Sequence, residues 1–590
     1  MHLYGLGDED EPEGIEEFLQ QDECDNPDPL YCDGNGDTKV TAEKIDKQED
    51  KNALGLNDDE IAEFHTWLRK IKALHPDKEN NQDEDNCLEK DQLNFKQRIA
   101  YDLIENFVNE KTTIEGEDIT LYLNISGRAG CGKSAVLKCI SKYIRSKAKP
   151  SFMKIGAPTG TAAFLVKGQT LHTLLQLPIN HSKGEIQSMS GQRLRDLQQN
   201  FEDVELLVID EKSMIGQYCL YMIDARLRQA KPSRAHLPFG GVSIILMGDF
   251  AQLAPVMDPP LFMEPDEKSK NGSNPQIITG YHLFKKHFSE NSVIFDEVMR
   301  QGPDQTEFKE VLDNIANGKF TRENWNYFRE RDLQGPNFSN EERKAIKEKS
   351  IKICALVNDT KKHNIERIKA LGKPIHGIKS LNQGKDAKFA TTNEAQGLLQ
   401  DLIIAKGSRV LLTRNLWQSY GLCNGSVGEV RYILYPEKSN DPKLQLPVVI
   451  CHFPDYTGPS CLENEEKCVP IVVQESHFTK NKQQCMRIML PLKPGYAISI
   501  HSSQGATLDS VIINLGNREF ATGLCYVAPS RVRKIQNLYF EPMPSFPRFT
   551  SMKKTKVFAQ RIKQDEREKA SDAKYAALAK EKIKKNNESS

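Results

Sequence analysis

Short apolar runs alternate with amphipathic stretches through most of this chain. Runs at Leu121–Ser126, Phe152–Ala157, Glu205–Ile209 and Ser243–Met247 are flanked by Gly, Pro or charged residues and separated by segments of helical period. That alternation predicts parallel strands joined by crossover helices from Leu93 to about Glu297. A second α/β segment contains "SIKICALV" (Ser350–Val357) and "DSVIINLG" (Asp509–Gly516). Between them, residues from Gly407 to about Leu490 are rich in Val, Ile, Gly and Pro with little helical period, which predicts a small β unit inserted into the second α/β domain. Residues 1–85 are acidic and broken by Pro, Gly and Asn. They predict a largely disordered region with one short helix around Ile61–Leu74. The tail after about Thr550 predicts a charged helix or a basic arm. No tandem repeat is present.

Composition narrows the class. At 590 residues the chain exceeds one compact core, so several domains are expected. No run approaches the roughly 18 apolar residues of a membrane span. The start, "MHLYGLGDEDEPEG", lacks the basic and apolar regions of a signal peptide. An intracellular protein, not secreted and not membrane-bound, is expected. The 13 cysteines follow no framework spacing, which suits a reducing compartment. Net charge is −2, but residues 1–55 hold 17 acids against 4 lysines while the last forty hold 12 bases against 6 acids. Either tail is a candidate route to protein partners. Two metal motifs fail on their spacing. Asp33–Lys44 resembles a calcium loop but carries Thr38 where Gly is needed and Lys44 where Glu is needed. Cys451, His452, Cys461, Cys468 and Cys485 lack paired zinc spacing. No Ser-His-Asp set or nuclease carboxylate cluster stands out.

The chemistry sits where strands end. Gly127-Arg-Ala-Gly130-Cys131-Gly132-Lys133-Ser134 fits G-x-x-x-x-G-K-[ST] in full, with a strand before it and a helix after it. Its glycines let successive N–H groups turn toward phosphate oxygens, and the helix N-terminus adds positive potential. Lys133 would reach the β and γ phosphates, and Ser134 would supply a Mg²⁺ ligand. The next acidic pair, Asp210-Glu211, follows the apolar run Leu206–Ile209. Strand C-terminal ends are where α/β folds bind ligands. Asp210 would hold Mg²⁺, and Glu211 would orient and deprotonate an attacking water. A third strand delivers Gly248-Asp249-Phe250-Ala251-Gln252, whose amide is placed to sense a γ phosphate. ATP with Mg²⁺ is the implied fuel.

Asp-Glu-x-Ser-Met followed by Gly-Asp-Phe-x-Gln-Leu-x-Pro closely resembles the superfamily 1B helicases, most of all the Pif and RecD-like 5′-to-3′ DNA helicases. The resemblance runs in order over about residues 90–545. "LNFKQRIAYDLI" is similar to the adenine-reading segment, with Gln97 as its amide. "APTGTAAFLVKGQTLHTLL" resembles the segment that grips single-stranded DNA, matching at Thr159, Gly160, Thr170 and His172. "DEVMRQ" places Arg300, and "YVAPSRVRKIQNLYF" places Arg531, at the family's two phosphate-contacting arginines. "GSRVLLTRNLWQSYGLCNGSVGEV" resembles the block opening the inserted β unit. "LPLKPGYAISIHSSQGATLDSVIINLG" resembles the segment serving both DNA and nucleotide, with His501, Ser502, Gln504 and Gly505 in register. The chain departs from the family pattern at Cys131, where Thr is frequent, and at Ser502, where Lys is usual. The latter change removes one phosphate-seeking charge.

This resemblance implies two RecA-like P-loop domains with small insertions, one β-rich and SH3-like, between flexible charged tails. The boundaries read as an acidic region 1–85, domain 1A 86–297 with a small 1B insertion near 176–200, domain 2A 298–406 and 491–548, a 2B unit 407–490, and a basic tail 549–590. It implies a motor on single-stranded DNA and DNA forks, in the nucleus or another DNA-containing compartment. Lys133, Glu211, Gln252, Arg300 and Arg531 would be catalytic. Gln97, Gly127, Gly130, Gly132, Ser134 and Gly505 would bind nucleotide, and Thr159, Gly160, His172, His501, Ser502 and Gln504 would bind DNA. Phe250, Trp417, Tyr420 and Tyr496 read as core rather than as base-stacking platforms. A translocase that displaces proteins without unwinding is the alternative, and an RNA-directed motor a third reading.

Overall fold

A strand covered on both sides by helices must be apolar on both sides, and the first predicted strands meet that demand. The computed structural model describes residues 48–75, 88–113, 119–178, 184–266, 274–392, 394–436, 445–480, 483–518 and 521–588. The calcium-like stretch Asp33–Lys44 and most of the acidic region lie outside the described residues. Chain contacts divide the protein into two units. Among the described residues, one comprises 88–355 and 500–588, and the other 48–75 and 356–499.

In the first unit, strands β1 (Tyr122–Gly127), β2 (Met153–Ala157), β3 (Gln169–Thr170), β4 (Leu206–Ile209), β5 (Ser243–Gly248) and β6 (Ser292–Phe295) form one sheet. Its order is β3-β2-β4-β5-β1-β6, and every pairing is parallel. The phosphate-loop strand β1 thus lies beside β5, and β4 lies on the other side of β5. All residues of β4 and β5 are buried. The four predicted strands form within a residue or two of their expected ends. A second, smaller parallel set pairs Val511–Asn514 with Ile351–Cys354 on one side and Leu538–Phe540 on the other. The expected insertion near 176–200 consists, among its described residues, of a connection and the helix Gly191–Phe201.

The basic tail is a helix, Lys556–Glu588. It lies along β6, an edge strand of the large sheet. There the Ser292 amide donates to Ser571 Oγ at 2.8 Å and the Ile294 amide to Asp572 Oδ1 at 3.0 Å. Unpaired edge amides are a liability that a covering element removes. Tyr575, Ala576 and Ala579 pack against the core containing Ile104, Leu123 and Val293.

The second unit is β-rich, as expected, but wider than 407–490. A five-stranded antiparallel sheet runs in the order Cys468–Ile471, Val448–His452, Val427–Leu434, Arg409–Leu412, Leu492–Pro494. A second sheet joins Leu381–Gln383, Gln483–Met489 and Gln474–Lys480. The strands Ile375–Lys379 and Asp401–Ala405 pair with each other. Residues 356–406, expected in the second α/β domain, therefore belong to this compact unit. The predicted short helix forms over Asp58–Leu74, where Asn57 and Glu60 make a reciprocal cap. Another helix, Glu49–Leu54, precedes it. Ile61 and Phe64 bury against Leu434, Val448 and Ile450, so residues 48–75 are folded and not part of a disordered tail. Among the described residues no helix is long and apolar enough to cross a membrane.

Candidate active site

The phosphate loop leaves β1 at Gly127, and its helix starts at Lys133 (Lys133–Lys147). Gly130 and Gly132 have φ of 85° and 81°, where glycine has no steric penalty. Gly130 is constrained twice, since a Cβ there would lie 2.3 Å from Arg300 Cβ. The reason is direct: the amides of Met299 and Arg300 both donate to the Gly130 carbonyl, at 2.8 and 3.1 Å. Lys133 Nζ donates to the carbonyl oxygens of Gly127 (2.7 Å) and Arg128 (3.2 Å) and lies 3.6 Å from Cys131 Sγ. Burial opposes its charge, but Cys131, Asp249, Glu211 and Asp210 raise its pKa above the ordinary lysine value. Ser134, on the first turn of the helix, is exposed.

The acidic pair follows β4 directly. Glu211 takes φ 53° and ψ 47°, a left-handed conformation that costs a non-glycine residue about 1–3 kcal/mol. Its amide donates to Asp210 Oδ1 at 2.9 Å. Its carboxylate accepts from Gln504 Nε2 at 3.0 Å, and the same amide nitrogen reaches Ser213 Oγ at 3.3 Å. Burial, then the neighbouring Glu211 charge, pushes Asp210 up to about 7. Asp210 is half-buried beside the buried Glu211, and its carboxylate and the Ser134 hydroxyl are hard oxygen donors of the kind Mg²⁺ takes.

The strand tip after β5 adds Asp249 and Gln252. Asp249 accepts from Arg128 Nη1 (3.1 Å), from the Ala251 amide (2.9 Å) and from Tyr526 Oη (3.1 Å). Burial works against its charge, but Arg128 and Lys133 outweigh it and hold the carboxyl below the usual range. Tyr526 Oη also accepts the Ala129 amide at 3.2 Å, tying the later segment to the phosphate loop. Gln252 and Gln504 are both buried, and the Oε1 of each has no hydrogen-bond partner among the described residues.

Both predicted arginines lie in this same unit. Arg300 Nη1 donates to the Ser530 carbonyl at 3.0 Å. Arg531 is 1% exposed. Its Nε donates to the Val527 carbonyl (2.9 Å), Nη2 to Ser530 Oγ (2.7 Å), and Nη1 to the Ser503 carbonyl (3.3 Å). Burial, then Arg300, pushes Arg531 down to about 10, while Glu211 acts in the opposite sense. Two guanidinium groups that repel one another beside a carboxylate form a cationic site demanding more negative charge than the protein supplies. Gln97 is buried, and its Nε2 donates to the Cys131 carbonyl at 3.3 Å. It abuts Gly132, where a Cβ would lie 2.6 Å from that nitrogen.

The residues expected at DNA are placed differently. Thr159 Oγ1 accepts the Ala162 amide at 3.2 Å, capping the helix Gly160–Leu165, and Thr170 caps Leu171–Leu174 in the same way. Gly160 and Ser502 are exposed, and His172 and His501 are half-buried. Gln504, by contrast, faces Glu211. It shares one 3₁₀ turn, His501–Ser503 and its cap, with the exposed Ser502. Gly505, at φ 80°, follows it. Phe250, Trp417, Tyr420 and Tyr496 are each 7% exposed or less, as core residues are. Sequence reasoning passed over Arg128, Asp249 and Tyr526 as site residues. All three sit inside the motifs that flagged their neighbours, which was the available signal.

A family model described as PIF1-like helicase matches residues 92–326. The mouse (Mus musculus) protein named ATP-dependent DNA helicase PIF1 is 29% identical over 419 residues, covering 70% of this chain and 56% of the relative. The chain thus spans just over half the length of that helicase. A protein of Invertebrate iridescent virus 6 is 26% identical over 494 residues, covering 72% of this chain and 89% of the relative. The crystal structure of a Pif1 helicase from Candida albicans superposes with a TM-score of 0.56 at 22% identity, over 78% of this chain and 98% of that one, a likeness of fold. The motif order and the cradle geometry agree with this likeness to the PIF1-like helicases.

Proposed function

We propose that the chain is an ATP-dependent 5′-to-3′ DNA helicase that couples ATP hydrolysis to movement along single-stranded DNA and to duplex opening. The observation that carries this reading is the turn at His501–Gln504. Gln504 bonds the candidate catalytic carboxylate at 3.0 Å, while Ser502, two residues away, is exposed. A shift of this turn driven by a bound strand would move the amide that holds Glu211. ATP hydrolysis and strand position would then share one mechanical part.

In this mechanism Lys133 and the loop amides bind the β and γ phosphates. Asp210 and Ser134 would hold Mg²⁺, which when bound neutralises phosphate charge. Glu211 orients the attacking water and takes its proton. Arg300 and Arg531 exchange carbonyl partners for phosphate oxygens as charge builds, a contribution worth roughly 10³–10⁵ in rate where such fingers have been measured. The orphaned Oε1 atoms of Gln252 and Gln504 support a ligand-completed site, since buried polar atoms are otherwise paired. Gln97 would turn from Cys131 to the adenine edge. Thr159, Gly160, His172, His501 and Ser502 would line the strand path. Single-stranded DNA and forks are the proposed substrates, in a DNA-containing compartment, with roles in replication, repair or recombination.

The test is unwinding of forked duplexes carrying only a 5′ or only a 3′ overhang. Opening from the 5′ overhang alone is expected. ATP turnover stimulated by DNA without any strand separation would instead establish a translocase.

A further inference from the structure

Lys212 follows the acidic pair directly, yet its side chain runs inward and is fully buried. Its Nζ donates to Asn124 Oδ1 at 2.5 Å and to Ser126 Oγ, and it lies 4.4 Å from the centre of the Phe250 ring. The carboxylate paired with it is Glu568 of the C-terminal helix, with Oε1 at 3.8 Å. Glu568 itself accepts from Asn124 Nδ2 at 2.8 Å and from Ser126 Oγ at 2.5 Å. Asn124, Ser126, Lys212 and Glu568 are all buried, at 7% exposure or less. They form a closed polar network behind the site.

The network joins two things the chemistry needs together. Asn124 and Ser126 sit on β1, which feeds the phosphate loop. Lys212 is peptide-bonded to Glu211, which holds a strained left-handed conformation. The backbone there is tightly nested: a Cβ on Gly248 would come within 2.8 Å of the Lys212 nitrogen. Gln504 restrains the Glu211 carboxylate from one side, and the Lys212 anchor restrains its backbone from the other. An ammonium taken out of water stays seated only while a counter-charge and acceptors surround it. Among the described residues, Glu568 is the carboxylate within ion-pair reach.

We propose that Glu568 is a positioning residue for ATP hydrolysis: from the C-terminal helix it supplies the counter-charge that seats Lys212 and so keeps Glu211 poised beside the phosphate loop. The tail helix is then a component of the motor and not an appendage. This inference rests on the ATPase reading above.

The test uses the full chain, with fluorescent ADP binding measured beside DNA-stimulated ATP turnover. Glu568→Gln is expected to keep nucleotide stoichiometry, with Kd and ATP KM within about threefold, while kcat falls about tenfold or more. Lys212→Met is expected to lose a comparable factor. The double variant Lys212→Met/Glu568→Leu, which leaves no buried charge, is expected within about threefold of Lys212→Met alone, because the pair acts as one unit. Unchanged kcat in Glu568→Gln would overturn the proposal. So would a fall in binding stoichiometry that accounts for the lost turnover. If Glu568→Gln does not fold, the comparison of Lys212→Met with the double variant decides, and a further tenfold drop on adding Glu568→Leu overturns it. A wild-type chain without ATP turnover would instead sink the ATPase reading itself.

Discussion

The proposed nucleotide cradle and the residues proposed to contact a strand differ in how they are packed. In the cradle, Glu211, Asp249 and Arg531 are packed out of water and Lys133 and Arg300 are half-buried, each within the field of the others. The expected DNA residues Gly160, His172, His501 and Ser502 keep contact with solvent, and Thr159 is engaged in capping a helix. Burial makes each charge count for more, because low polarisability strengthens electrostatics and penalises any unpaired ion. A surface that must release one phosphate and take the next gains nothing from such rigidity. Disruption of the cradle should therefore be catastrophic, whereas disruption of the strand path should be graded.

The largest effect is expected from Lys133→Ala, which should leave no measurable ATP turnover in a coupled assay. Retained turnover would erase the distinction between the two regions. Arg300→Ala follows, with turnover reduced about 10³-fold and nucleotide binding largely retained. Arg531→Ala should match that loss and also lower the melting temperature. It removes the buried hydrogen bonds that the guanidinium gives to the carbonyls of Val527 and Ser503, and hydrogen bonds from a charged group are worth about 1.5–3 kcal/mol each. On the strand side, Ser502→Lys adds one charge at an exposed position. It should tighten single-stranded DNA binding a few-fold and steepen the salt dependence by about 0.7 of a unit. No change in the salt slope would remove Ser502 from the strand path.

The smallest effect concerns pH. Asp565, on the C-terminal helix, is pushed up to about 6, first by burial and against the pull of Arg561. A carboxyl with a raised folded pKa binds its proton more tightly folded than unfolded. Its contribution to stability is present at low pH and is lost as pH rises from about 4 to about 6. Asp565→Asn removes that loss, so its melting temperature relative to wild type should climb by a few degrees across that window. A constant difference would contradict the assignment.

Much of the cradle was readable along the chain because its residues come in contiguous motifs at strand ends. Lys133 was placed by a complete phosphate-loop motif, and Asp210, Glu211 and Gln252 by their positions at the ends of later apolar strands. The C-terminal helix was not readable in this way. Its inward stripe is Arg561, Gln564, Glu568 and Ser571, polar residues at helical spacing where a core-facing stripe is usually apolar. Composition alone therefore left it as either a charged helix or a basic arm, with no sign that it packs against the sheet. Residues 48–75 misled for a related reason: an acidic surface masked Ile61 and Phe64, which bury against the β-rich unit.

What the sequence determined by itself was local: a phosphate loop and an acidic pair at strand ends, each defined by neighbours a few residues away, while the two arginines were marked only by the family resemblance. What only the tertiary structure decided was which distant groups complete that chemistry. Glu568 meets Lys212, Gln504 meets Glu211, and Tyr526 meets Asp249 across long spans of chain. Local motifs are set by backbone geometry that a short segment can specify. Pairing of buried charges is set by where whole elements pack, because a charge out of water is stable only beside the partner that packing brings to it.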